Sequence, residues 1–195
     1  MPLDEAYDNA LMDTGSTSTL PNGTVFAIIS GVNSSSIKTN STYDGNMIAA
    51  VALDSQLLRW RKLGTVISNP TNTSHPTQLQ VGLSGTAAFS RDTPAPGQLP
   101  RYSFRDPTSP WLDACVVGKP ELCFFLLVGS GNATHNMALL YRSRSDTDIE
   151  SEWSFVKVLW SSQTNDEFDH ACPGYFCIYS CPDFFRLSGE KTVFL

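Results

Sequence analysis

Two segments bring together side chains that could do chemistry. Phe104-Arg105-Asp106-Pro107-Thr108 sets a carboxylate between a guanidinium and a proline ring, just before Trp111. Taken alone, an Arg-Asp-Pro triplet reads as a turn, with Pro stopping a strand and Asp bonding local backbone. Tyr179-Ser180-Cys181-Pro182-Asp183-Phe184-Phe185 reads on its own as a buried aromatic strand. A third cluster, His170-x-Cys172-x4-Cys177-x3-Cys181, offers four side chains of zinc-binding type. Its spacing fits no common finger, so a disulfide or buried thiols is the better reading, and Cys172 with Cys177 would close a short loop. His75 and His135 stand in polar stretches and read as solvated.

The elements that must position these groups are strands. Apolar residues make up 41% of the 195 positions and charged ones 16%. That charged share is below the roughly 25% of an average soluble chain, which rules out a self-repelling disordered polymer. The longest apolar runs, Met47–Leu53 and Leu122–Val128, fall far short of the roughly 20 residues of a spanning helix, so a membrane segment is not expected. Thirteen basic residues against nineteen acidic ones give a net charge of −6, which makes nucleic acid an unsuitable partner. No stretch carries apolar residues at helical spacing. Thr24–Ser30, Met47–Leu53 and Arg59–Ile67 read as strands, the first after the turn Pro21-Asn22-Gly23.

The same grammar returns in the second half of the chain. Leu122–Val128 is followed by Gly129-Ser130-Gly131-Asn132, then Met137–Arg142, then Trp153–Trp160. Ala50-Val51-Ala52-Leu53 leads to Trp60-Arg61-Lys62-Leu63, as Leu139-Leu140-Tyr141-Arg142 leads to Trp153 and Lys157-Val158-Leu159. Each unit is strand, polar turn, strand, acidic turn and Trp-bearing strand, the pattern of propeller blades. Glu190-Lys191-Thr192-Val193-Phe194-Leu195 reads as the start of a third unit. Two to three blades cannot close a ring that generally needs about four to eight. An open ring would expose apolar faces and strand edges, so poor solubility is expected. Trp60, Trp111, Trp153 and Trp160 read as packing within or between blades. Ser68–Gln80 and Thr93–Arg101, rich in Pro, Asn, Thr and Gly, read as long loops on one face.

Five Asn-x-Ser/Thr triplets, at Asn22, Asn33, Asn40, Asn72 and Asn132, lean toward a glycosylated protein of the secretory route. Five cysteines, Cys115, Cys123, Cys172, Cys177 and Cys181, leave at least one unpaired if the others bridge. Met1-Pro2-Leu3-Asp4-Glu5 has neither the basic start nor the apolar segment of a signal peptide, so the chain reads as starting inside a longer protein.

Taken with the repeat, four segments in order resemble the catalytic propeller of glycoside hydrolase family 32, the invertases and fructan hydrolases. Gly15-Ser16-Thr17-Ser18-Thr19-Leu20-Pro21-Asn22-Gly23 is similar to the family's Gly-Ser-Ala-Thr-x-Leu-Pro-Asp-Gly stretch. Trp60-Arg61-Lys62-Leu63 with Asn69-Pro70 resembles its Trp-x-Lys…Asn-Pro segment. Phe104-Arg105-Asp106-Pro107 resembles its Arg-Asp-Pro motif, and Cys181-Pro182-Asp183-Phe184-Phe185 the tail of its Glu-Cys-Pro-Asp-Phe motif. The resemblance implies an all-β fold, an incomplete five-bladed propeller spanning residues 1–195 and truncated at both ends. It also implies a parent protein that is secreted or vacuolar, acts on sucrose or fructan-type carbohydrate, and needs no cofactor or metal.

The implied chemistry is a retaining cleavage of β-fructofuranosides by a nucleophilic carboxylate and an acid/base carboxyl about 5–5.5 Å apart. A third carboxylate stabilises the transition state. Asp106 matches that third role, Arg105 would orient neighbouring carboxyl groups, and Thr14 and Ser16 would contact substrate. The nucleophile's Trp-Met-Asn-Asp-Pro-Asn-Gly motif has no counterpart; Asp4, Asp8 and Asp13 lack the Asn-Asp-Pro context. Asp13 also stands where the family often has an aromatic. The acid/base Glu is replaced by Ser180, whose hydroxyl cannot act as proton donor near neutral pH. Asp183 has opposite parity to Ser180 along a strand, and Asp166, Glu167 and Asp169 would need a loop to carry them near. The chain is therefore expected to be inactive, with a non-catalytic carbohydrate-binding relative or a propeller-type interaction module as the alternatives.

Overall fold

The computed structural model describes residues 8, 11–32, 46–68, 103–116, 119–131, 135–163, 184–185 and 193–194. They form three antiparallel sheets and, among the described residues, no helix. The first sheet runs in chain order through β1 (Leu11–Thr19), β2 (Val25–Val32), β3 (Asn46–Ala52) and β4 (Trp60–Ile67). The second has β5 (Ser103–Arg105), β7 (Leu122–Gly131), β8 (His135–Arg142) and β9 (Ser154–Gln163), with β6 (Trp111–Ala114) also paired to β7. In the third, β10 (Phe184–Phe185) pairs with β11 (Val193–Phe194). This is an all-β, incomplete propeller, with no closed ring among the described residues.

Sequential antiparallel pairing follows from the short polar turns between apolar runs. In the β1–β2 hairpin, Gly23 takes a positive φ of 85°, a conformation costly for any residue with a Cβ. Between β3 and β4, Asp54 accepts hydrogen bonds from the backbone N–H groups of Gln56, Leu58 and Arg59 and from Arg59 Nε. The turn from β8 to β9 uses Ser145 and Asp148 in the same way, through Thr147, Asp148 and Ser151.

The core lies between the first two sheets. Phe26, Ile28, Met47, Ala49, Val51 and Val66 of the first meet Phe104, Phe124, Leu126, Val128, Leu139 and Tyr141 of the second. Phe26 and Phe124 cross edge to face with ring centroids 4.9 Å apart. Burying each ring contributes about 1.5–3 kcal/mol. Trp153, buried in this core, donates its backbone N–H to the Val66 carbonyl at 2.7 Å and stitches the sheets together. Trp111 stacks on Phe125, and Trp60 donates its indole N–H to the Leu57 carbonyl. The side chain of Trp160, like His75 and that of His135, lies outside the described residues, as do most of both long loops.

Three strands escaped the sequence pattern: β1, β5 and the four-residue β6. β1 carries hydroxyl residues on both faces, so it shows no apolar alternation. β5 has three residues, too few for any period. The Arg-Asp-Pro triplet therefore begins at the end of β5, inside the second blade. The expected third unit is present as the β10–β11 pair, but it opens at Phe184–Phe185, ahead of the Glu190 start read from the sequence.

Candidate active site

One edge of the second sheet is a strand broken in the middle. β5 pairs with Gly129–Gly131 of β7, β6 pairs with Leu122–Phe125, and residues 106–110 leave the ladder between them. Pro107 has no N–H to give to a ladder, which confines it to such an edge or a bulge. Thr108 keeps the break closed: its N–H donates to the Leu127 carbonyl at 2.9 Å, and its hydroxyl accepts the Leu127 N–H at 2.9 Å. Asp106 occupies the left-handed region, with φ of 56°, at a cost of about 1–3 kcal/mol that the surroundings must offset. Phe104, fully buried against Tyr141, fixes the strand end from which Asp106 departs. Burial also pushes the Tyr141 phenol well above its ordinary range, so the ring is a neutral wall.

The first sheet supplies the other half. Its β1–β2 register slips by one residue between Met12 and Gly15, a bulge. Bulges re-aim side chains, and here the residue redirected is Thr14. The Thr14 hydroxyl donates to Asp106 Oδ1. Ser16, two residues on, donates to the carbonyls of Pro107 at 3.0 Å and Thr108 at 2.5 Å. Gly15 separates the two because a Cβ there would stand 2.8 Å from the Ile28 carbonyl oxygen and 2.9 Å from the Ile29 side chain. Arg105 Nε lies 3.4 Å from Asp106 Oδ2, and Asp106 is only 6% exposed. A buried carboxylate held between a hydroxyl donor and a guanidinium is fixed in its orientation.

Of the residues picked out from sequence, Thr14, Ser16, Arg105 and Asp106 thus come together, drawn from both sheets. Thr14 and Ser16 hold the turn itself, a role distinct from the substrate contact expected of them. Ser180 lies outside the described residues, as do Cys172, Cys177, Cys181 and His170. Among the described residues no three His, Cys, Asp or Glu side chains group as a metal site.

Two features were not anticipated. Asp8, fully buried, has Oδ2 2.5 Å from Nζ of Lys62, itself 10% exposed. The signal was available: Lys62 interrupts a strand of mostly inward residues, and a buried ammonium needs an anion. The second is the disulfide between Cys115 and Cys123, which fastens the outer end of β6 to β7. Arg142 caps it by donating Nη1 to the Cys115 carbonyl at 2.5 Å. Spacing alone cannot choose among the pairings of five thiols.

No protein-family model matches the chain. Over 97 residues, half of this chain, it is 35% identical to a cell wall isozyme of β-fructofuranosidase from Zea mays, of which the match covers 13%. The crystal structure of fructan 1-exohydrolase IIa from Cichorium intybus superposes on 93% of this chain with a TM-score of 0.53, at 20% identity. The chain spans 25% of the length of that structure. At that identity the superposition speaks for the fold, and the sequence match for kinship. Together with the four ordered motifs, they give this chain a likeness to proteins of the glycoside hydrolase family 32 type.

Proposed function

We propose that this chain is the part of a family 32 propeller that contributes the transition-state-stabilising carboxylate, Asp106, and that residues 1–195 do not by themselves hydrolyse β-fructofuranosides. The observation that carries the reading is the hold on Asp106: a strained backbone, a hydroxyl donor from the neighbouring blade and an adjacent guanidinium. That much preorganisation suits a group that meets positive charge developing on a fructosyl ring. Two other groups are required for retaining cleavage, a nucleophile and a proton donor. Within these residues no Asn-Asp-Pro segment occurs, and Ser180 stands where the donor would be. Asp8, the other buried carboxylate described, is paired with Lys62 and is poorly suited to attack carbon.

The similarity to a cell wall isozyme supports a secreted parent protein whose partner is sucrose or a fructan. Ser180 in the donor position supports a second reading, a relative that binds carbohydrate without cleaving it. Fructose release from sucrose and inulin by the purified chain decides between activity and its absence. None is expected above a buffer blank. Release that disappears in Asp106→Asn would overturn the proposal. Saturable binding of sucrose, weakened at least tenfold in Asp106→Asn, would favour the binding reading.

A further inference from the structure

We propose that Asn22 is an N-glycosylation site, placed at the end of the first blade away from Asp106. Asn22-Gly23-Thr24 is an acceptor triplet at the tip of the β1–β2 hairpin, where Pro21, Asn22 and Gly23 are all exposed. The tip is well fixed. Gly23 N–H donates to the Leu20 carbonyl at 2.9 Å, and Leu20 N–H to the Thr24 carbonyl at 2.8 Å. Leu20 packs against the core. Asn22 Oδ1 accepts the Thr24 N–H at 2.9 Å, which engages the oxygen end of the amide; the atom that takes a sugar is the nitrogen. An added Cβ on Gly23 would meet nothing within 4 Å, so the tip faces open space on that side.

The Cys115–Cys123 disulfide supplies an independent reason. Disulfides persist in oxidising compartments, and those are the compartments in which acceptor triplets are used. Position decides what the glycan would leave free. From Thr14 to Thr19 the strand advances roughly 3.3 Å per residue, about 17 Å in all, before the turn begins. A glycan on Asn22 therefore leaves Thr14 and Asp106 uncovered. Asn33, Asn40, Asn72 and Asn132 lie outside the described residues.

The co-reactant is a polyprenyl-pyrophosphate-linked oligosaccharide presented by the transferase of the secretory membrane. Asn22 Nδ2 attacks the anomeric carbon, and a C–N bond forms as the bond from that carbon to the pyrophosphate oxygen breaks. The pyrophosphate leaves with the electron pair, the amide proton passes to a base of the transferase, and nothing is oxidised or reduced.

The test is translation of the full chain behind a cleavable secretory leader into microsomes, followed by peptide N-glycosidase treatment and mass spectrometry. Peptides that separate Asn22 from Asn33 are compared. In leader-cleaved product, Asn22 should appear as Asp after treatment, and Asn22→Gln or Thr24→Ala should each remove one glycan step on a gel. This readout requires translocation and not correct folding. A leader-cleaved chain with Asn22 wholly unmodified would overturn the assignment. In secreted, disulfide-bonded protein the glycan should also be released without denaturant; release only after denaturation would refute the exposed placement.

Discussion

In the first sheet the β3–β4 pairing slips twice, leaving Leu63 and Val66 as extra residues of β4; in the second, the β8–β9 pairing slips at Val156 and Leu159 of β9. Each pair begins three residues after a tryptophan, Trp60 in one blade and Trp153 in the other. The bulged residues themselves differ between blades. What repeats is the position of the irregularity, and bulges deepen the right-handed twist that lets one blade lie across the next. The first edges of the two sheets diverge. β1 is continuous over nine residues and presents hydroxyls, whereas its counterpart is split into β5 and β6 around Asp106. The blades share a scaffold and divide the site, donors on one and carboxylate on the other.

The widest claim in that comparison is that the two sheets share one core. Phe124→Ala, in the second sheet, should destabilise the protein by about 3–5 kcal/mol, because it removes a buried ring and the edge contact to Phe26. Urea unfolding followed by hydrogen exchange at β3 of the first sheet and at β8 of the second should show coincident transitions in wild type. Both should shift together in the variant. Loss of the second sheet alone would mean that the blades fold independently.

The same comparison explains what could be read in the sequence. Strands that bury one face or both, such as Met47–Leu53 and Leu122–Val128, announced themselves by apolar content, and Trp60 and Trp153 set the repeat. Elements that build the site were harder to see. Thr14 and Ser16 are spent on polar contacts with the Asp106–Thr108 turn, so β1 lacks the alternation by which strands are found. The Asp106 turn was legible only as a motif, since its left-handed backbone and its tie to Thr14 depend on residues more than ninety positions apart. Lys62 carried a hint of Asp8 that propensity does not weigh.

The disulfide is the sharpest asymmetry, because the first sheet contains no cysteine at all. β6 is a four-residue edge strand cut off from β5, and Cys115–Cys123, eight residues apart in sequence, ties down its free end. Closing so short a loop contributes about 2.5 kcal/mol. The Cys115→Ser, Cys123→Ser double variant should lose roughly that much in urea unfolding. Hydrogen exchange at Trp111–Ala114 should accelerate while β1 stays protected. Equal acceleration in both strands would remove the asymmetry.

The smallest effect concerns the acidic turns, which the two blades build from unlike residues around one carboxylate each. In the first, the Leu58 N–H leads the hydrogen bonds that hold the Asp54 carboxyl below its ordinary value of 3.8, joined by Arg59. In the second, burial pushes Asp148 upward, but bonds from Ser151, the charge of Arg144 and the Glu150 N–H outweigh it and leave the carboxyl lowered too. A group whose folded pKa lies below its unfolded one contributes stability that is fully present above the unfolded value and is lost as pH falls through the folded one. Both turns should therefore loosen on acidification below pH 3.8, and neither near neutrality. Carboxyl titration by NMR should give both residues midpoints under 3.8, with Arg59→Gln raising Asp54 and leaving Asp148 in place. A midpoint at or above that value for Asp148 alone would show that burial wins in the second turn, and that the blades share the carboxylate without sharing its chemistry.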